Sequence, residues 1–129
     1  MSRAAAGNEA FFFDTYALFA LARESPNYAS LANSRVATSY MNLYELYYMM
    51  SQGGERALAT ALFQELIAGA FHPEPETIKA AAEFRLKHVK LKLSYIDCLG
   101  YAIAQELKLP FLTGDEGFRG LPGVKFVKE

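Results

Sequence analysis

An apolar run of strongly β-forming residues that leads onto an acid occurs twice in this chain, as Ala10-Phe11-Phe12-Phe13-Asp14 and as Pro110-Phe111-Leu112-Thr113-Gly114-Asp115. Between the two, further β-forming runs alternate with stretches of helical spacing. Strands alternating with helices imply a mainly parallel sheet covered on both faces. The expected fold class is therefore α/β, a three-layer α/β/α arrangement with a mainly parallel central sheet. In such folds the ligand crevice lies beyond the carboxyl ends of the strands, and both acids would stand there.

The remaining elements follow from periodicity and caps. Leu18, Leu21 and Ala22 continue a helix opened at Asp14-Thr15, until Ser25-Pro26-Asn27 breaks it. Residues 36–40 read as a second strand. Asn42-Leu43-Tyr44-Glu45 has the spacing of a capping box and is expected to open a helix through about Met50. In that helix only Asn42 and Glu45 are strongly polar, which implies deep burial or an interface. Residues 55–68 form an ordinary amphipathic helix, stopped at Gly69. Pro73 and Pro75 restrict residues 71–74 to an edge strand or an extended link. Residues 76–90 are helical with a basic end. A further helix starts at Ser94, with Asp97 at its capping-box position, and Ile96, Gly100, Ile103 and Leu107 define its buried face. Gly100 on that face allows a close neighbour. Residues 124–127 form the last strand.

A chain of 129 residues, 52% of them hydrophobic, suffices for one domain with a real core and is short for two. Residues 1–9 read as a disordered tail and residues 10–129 as the single domain. A formal net charge of −1 excludes the global basic footprint of an architectural nucleic-acid binder, while leaving room for an enzyme that meets phosphate through a metal. The lone cysteine, Cys98, makes no internal disulfide, and His72 and His88, both expected at the surface, make no zinc site. A reducing cytoplasm fits. Asp14 interrupts the first apolar run before it reaches membrane-span length, so no membrane association is expected.

Four acids stand in apolar surroundings: Asp14, Glu45, Asp97 and Asp115. Each has a structural reading. Asp14 caps a helix, Asp115 turns between glycines, and Glu45 and Asp97 complete capping boxes. A joint reading is chemical. Two unit charges about 4 Å apart repel by roughly 4 kcal/mol at an effective dielectric of about 20, so a carboxylate cluster calls for compensation. A hard dication supplies it. Mg²⁺ (or Mn²⁺) takes oxygen ligands, binds directly through one or two carboxylates and keeps several waters. Thr113, two residues before Asp115, points to the same side of its strand and can hydrogen-bond a carboxylate or a metal-bound water; it is equally an ordinary β-branched strand residue. Arg85, Lys87, Lys90 and Lys92 either complement a helix dipole or guide a polynucleotide backbone toward the acids, with Arg119 and Lys125 as weaker additions.

In order along the chain, Phe13-Asp14-Thr15, Asn42-Leu43-Tyr44-Glu45-Leu46, Tyr95-Ile96-Asp97-Cys98-Leu99 and Leu112-Thr113-Gly114-Asp115-Glu116-Gly117-Phe118 follow a pattern that resembles the PIN domain. The likeness is closer to the VapC-type toxin ribonucleases of bacterial toxin–antitoxin pairs, and covers residues 11–127. It implies a metal-dependent endoribonuclease that hydrolyses RNA phosphodiester bonds, with Asp14, Glu45, Asp97 and Asp115 as catalytic and metal-binding acids and Thr113 in support. It also implies a homodimer and a protein antitoxin that covers the site. Tyr44, Tyr47, Tyr48, Met49 and Met50 would suit such an interface. Two points depart from the family pattern: the chain is not basic, and Cys98 and Leu99 stand where small residues are common. Two other readings remain. One is a non-catalytic binding module of the same fold acting through its aromatic and Met surface. The other is a receiver-like phosphoacceptor domain, for which Lys108 and Lys125 are poorly placed.

Overall fold

A computed structural model of the chain describes residues 9–129. The expected N-terminal tail therefore lies outside the described residues except for Glu9, whose carbonyl accepts the N–H of Arg35 at 2.8 Å. Strand β1 is Ala10–Phe13 and helix α1 is Thr15–Ala22; a 3₁₀ stretch, Pro26–Leu31, leads to β2 at Arg35–Ala37. Helices α2 (Tyr40–Gln52), α3 (Arg56–Leu66) and α4 (Pro75–Lys87) follow without an intervening strand. Helix α5 (Tyr95–Leu107) then feeds β3 (Phe111–Thr113), and a single 3₁₀ turn, Glu116–Phe118, connects β3 to β4 (Val124–Phe126).

The four strands form one sheet in the order β2-β1-β3-β4, and every pairing is parallel. Alternate residues of β1 serve two cores, as a pleated strand buried on both faces requires. Phe11 and Phe13, with Leu112 of β3, pack against α1, Tyr28, Leu31 and the Leu43, Leu46 and Met50 side of α2. Phe12 and Phe111 face the other way, onto Ala81 of α4, the Cys98, Tyr101 and Ile103 side of α5, and Phe118. The layers are thus helix, sheet and helix, as expected. Gly100 on α5 has the close neighbours anticipated for it: a Cβ there would lie 3.1 Å from the Phe12 ring and 3.4 Å from the Asn42 amide oxygen.

Several boundaries differ from expectation, for local reasons. The second strand stops at Ala37, because the Thr38 hydroxyl donates to the Phe13 carbonyl (3.0 Å) and the Thr38 carbonyl accepts from Phe71 N–H (2.9 Å), which takes the chain off the ladder. Phe71 thereby forms the extended link, as a single parallel bridge to Ser39. The cap of α2 is consequently Ser39 and not Asn42, the hydroxyl of Ser39 accepting from Asn42 N–H at 3.2 Å. Glu45 is therefore the sixth residue of α2, in its second turn, and completes no capping box. The basic helix ends at Lys87, followed by a 3₁₀ turn at Val89–Leu91. His72 is exposed, but His88 is half-buried against Phe84, with ring centroids 4.4 Å apart. Among the described residues no helix is long and apolar enough to cross a membrane.

Candidate active site

Strand β1 has β2 on one side and β3 on the other, so the chain reverses direction of travel across the sheet between β1 and β3. A crevice opens at the carboxyl ends of strands at such a point. Asp14 follows directly on β1, and its N–H donates to the Leu112 carbonyl of β3 at 3.1 Å. Its carboxylate is almost fully buried, 2% exposed. One oxygen accepts from the N–H of Thr15 (2.8 Å), as an N-cap, and the other accepts from the Thr113 hydroxyl (2.8 Å). That hydroxyl in turn accepts from the N–H of Asp115 (3.1 Å). Thr113, itself fully buried, thus holds Asp14 and Asp115 in one relay, its proton committed to Asp14.

Asp97 enters from α5. It sits at the third helical position, where Ser94 Oγ accepts its N–H (3.0 Å) and its Oδ2 accepts the N–H of Ser94 (2.8 Å). This is the expected capping box, and it leaves Oδ1 free of that duty. Asp115 caps the 3₁₀ turn after β3, one oxygen accepting from Gly117 N–H at 3.0 Å. Gly114 beside it admits no side chain, since a Cβ there would lie 2.3 Å from the Tyr16 ring and 2.5 Å from the Val127 carbonyl. Glu45 is half-buried and has no hydrogen-bond or ion-pair partner among the described residues.

Asp14 and Asp97 sense the acids around them. Burial raises the Asp14 pKa to about 7, and the negative charges of Asp97 and Glu45 push the same way against the hydrogen bonds from Thr113 and Thr15. Burial also raises Asp97, opposed by its Ser94 bonds and reinforced by the charges of Asp115 and Glu45. The salt bridges found among the described residues involve Glu76, Glu116 and Glu129 and none of the four acids. The donor set is therefore all oxygen, with no salt bridge to it among the described residues. Among the described residues no three His, Cys, Asp or Glu side chains converge closely enough to enclose an ion unaided. A cation that binds through one or two carboxylates and completes its shell with water fits such a set, and that is the habit of Mg²⁺ and Mn²⁺ rather than of zinc.

The basic residues fall into two groups. Lys87, Lys90 and Lys92 are exposed and unpaired at the α4–α5 junction. Arg85 is half-buried; its Nε donates to the Leu93 carbonyl (3.0 Å) and its guanidinium lies 4.2 Å from the centroid of the Tyr95 ring. Beside this junction an apolar groove of about 560 Å³ runs between α4 and α5, walled by Met41, Ile78, Leu86, Val89, Tyr95 and Leu99. The aromatic segment of α2 splits as its two-sided composition suggests. Met50 is buried and Tyr47 packs on Phe63, while Tyr44 (64%) and Tyr48 (59%) remain exposed.

Two residues take parts that the sequence does not indicate: Asn42, expected as a helix cap, and Tyr95, which holds the Arg85 guanidinium. Asn42 is fully buried, accepts from the Ser39 hydroxyl (2.6 Å) and donates to the Thr15 hydroxyl (3.0 Å), tying the start of α2 to the start of α1 behind Asp14. The only signal for it is a polar residue in an apolar helix, which capping explained equally well. Tyr95 is the other, and no periodicity marks it.

The family model of the PIN domain matches residues 11–124 of the chain. No curated protein matches it. Among solved structures, one described as a toxin-antitoxin complex from Klebsiella pneumoniae superposes with a TM-score of 0.72 at 19% identity, covering 89% of this chain and 95% of that one. A crystal structure of a protein from Pyrobaculum aerophilum superposes with a TM-score of 0.64 at 17% identity, covering 92% of this chain and 87% of the other. At such identities the likeness is one of fold.

Proposed function

Because the chain belongs to the PIN domain family, we propose that it is a metal-dependent endoribonuclease, the toxin of a toxin–antitoxin pair. The observation that supports the reading is the buried Asp14 carboxylate at the end of β1, its pKa raised by burial and by the charges of Asp97 and Glu45, with Asp115 joined to it through Thr113 and none of the four acids in a salt bridge among the described residues. Asp14, Asp97, Asp115 and Glu45 would hold Mg²⁺ or Mn²⁺. Such an ion lowers the pKa of a bound water and neutralises charge at phosphorus. Asp14, fixed through Thr15 and Thr113, presents its carboxylate in one orientation. Asp97 keeps one oxygen outside its capping box. Glu45, half-buried and without a bonded partner among the described residues, would be the acid to accept a proton from an attacking water. Lys87, Lys90 and Lys92 would take phosphates of the RNA backbone, whereas Arg85 is occupied with Leu93 and Tyr95.

The structural likeness to the toxin-antitoxin complex from Klebsiella pneumoniae supports a protein antitoxin as partner. The apolar groove walled by Ile78, Leu86 and Val89 gives it a surface of the right character, and the exposed Tyr44 and Tyr48 offer one to a second copy. A buried single thiol suits a reducing cytoplasm. Incubation of purified protein with structured RNAs and Mg²⁺ or Mn²⁺, beside Asp97→Asn, tests the proposal. Cleavage is expected for the parent alone and is lost on chelation. Equal cleavage by both proteins refutes it.

A further inference from the structure

Residues 127–129 follow β4 and belong to no helix or strand, yet they are bonded along their whole length. The N–H of Val127 donates to the Thr113 carbonyl (2.9 Å), and the Val127 carbonyl accepts the Tyr28 hydroxyl (2.8 Å). The Lys128 carbonyl accepts from the Asn27 amide (3.1 Å). The N–H of Glu129 donates to the Tyr16 hydroxyl (2.8 Å), and the Glu129 carboxylate pairs with Arg23 (3.0 Å). Single bonds at a surface stabilise little, and each costs conformational freedom. A whole run of them orders the segment against one part of the molecule.

That part is the turn carrying Asp115. A Cβ on Gly114 would lie 2.3 Å from the Tyr16 ring and 2.5 Å from the Val127 carbonyl, so ring and segment both rest against the Gly114 backbone. Lys128 Nζ donates to the Gly114 carbonyl (3.3 Å) and pairs with the Glu116 carboxylate (3.4 Å), which holds the residues on either side of Asp115. Asp115 itself has local bonds only: its N–H donates to the Thr113 hydroxyl, and one carboxylate oxygen accepts from Gly117 N–H. Tyr16 stands on α1, two residues after the Asp14 that caps this helix. The turn of Asp115 is thereby tied to the helix of Asp14, and the charge of Asp115 is felt at Asp97.

We propose that Tyr16 and Lys128 are positioning residues, which fix the Gly114–Glu116 turn so that the Asp115 carboxylate is held for the dication that the acids bind. The inference rests on the nuclease reading above. Partners that orient a ligating group are worth about 10- to 100-fold in metal affinity. The sign of the effect is informative, because Lys128 is itself a cation. By charge alone its removal would favour a dication, whereas loss of orientation weakens binding.

The test is isothermal titration of Mn²⁺ into the full chain without RNA. Lys128→Met is expected to weaken Mn²⁺ binding about tenfold and to raise the Mn²⁺ concentration for half-maximal RNA cleavage by the same factor. Its melting temperature without metal falls by a few degrees at most, since the Lys128 side chain is half exposed. Tyr16→Phe keeps the ring on Gly114 but loses the acceptor for Glu129 N–H, and weakens Mn²⁺ binding in the same sense and by less. In an Asp115→Asn background, Lys128→Met has no further effect, because the group that it orients is gone. Mn²⁺ affinity in Lys128→Met equal to or above that of the wild type overturns the inference. So does an equal loss in both backgrounds, which would make the contact a support of the fold at large. Asp97→Asn run in parallel separates the two failures. If it cleaves RNA like the wild type, the nuclease reading falls and this one with it; if it is inactive while Lys128→Met binds Mn²⁺ normally, only the positioning role is refuted.

Discussion

Glu116 and Asp115 are adjacent in sequence and opposite in circumstance. Glu116 receives two bonds from Arg119 (2.8 and 3.0 Å) and an ion pair from Lys128 (3.4 Å), and those partners lower its pKa to about 2. Glu129, close by, pairs with Arg23 at 3.0 Å. Asp115 is joined through Thr113 to Asp14 and adds its charge to that felt by Asp97; the pKa of Asp14 rises to about 7, and among the described residues none of these acids is in a salt bridge. The same stretch of chain thus neutralises its negative charge at Glu116 through ion pairs and leaves Asp115 without one among the described residues. An unpaired buried carboxylate is costly, and it is relieved by taking a proton or by an external cation. The difference separates acids in ion pairs from acids without one among the described residues.

The largest expected effect is on cleavage. Asp14→Asn or Asp97→Asn is expected to lower the metal-dependent rate on RNA by about 10²-fold or more, the scale of removing one positioned catalytic group, while Glu116→Gln stays within about twofold. Comparable losses for all three would erase the distinction. Next is stability without metal. Asp14 takes up a proton in the folded state near pH 7 but in the unfolded chain only near 4, so between these values the native state binds more protons. Stability is therefore full below about pH 4, falls as pH rises toward 7, and then levels; at about 1.4 kcal/mol per unit this amounts to a few kcal/mol. Melting temperatures from pH 4.5 to 8 should show the decline in the wild type and a flatter profile in Asp14→Asn. Parallel profiles would contradict it.

A smaller effect comes from the ion itself. Mg²⁺ or Mn²⁺ at about 100 times Kd stabilises a protein by roughly 2.7 kcal/mol through linkage, so the wild type should melt higher in metal at pH 8 and Asp97→Asn should respond less. The smallest concerns the paired side. Arg119→Ala should leave the melting temperature nearly unchanged, because exposed ion pairs contribute little. A substantial drop would show that the two sides of this chain segment are not energetically separate.

What the sequence made legible was set by the range of the forces involved. Asp14 could be placed because three phenylalanines in a row leave no doubt about the strand before it, and Asp97 because Ser94 and Asp97 satisfy each other within four residues. The start of α2 was misplaced by three residues. Val36 to Tyr40 is a good strand by composition, and only the distant carbonyl of Phe13 and N–H of Phe71 end it at Ala37. Asn42 was assigned to the wrong task for the same reason, one of its partners being Thr15, 27 residues away. Arg85 read as a free charge, since nothing local indicates that Leu93 and Tyr95 hold it. That Asp115 is joined to Asp14 while Glu116 pairs with Arg119 depends on the Thr113 relay, which needs Asp14 from the far end of the sheet.

That relay also fixes when the site can exist. The hydroxyl of Thr113 and the carboxylate of Asp14 are 99 residues apart in sequence, and so are the Tyr28 hydroxyl and the Val127 carbonyl that close the same edge. Contacts of such separation form late, because the entropy of closing the intervening loop must be met first. On a ribosome, Asp14 and α1 emerge long before β3, the strand that pairs with β1 on the side of the acids. A nascent chain therefore lacks the assembled acid cluster, which comes together only when β3 docks beside β1.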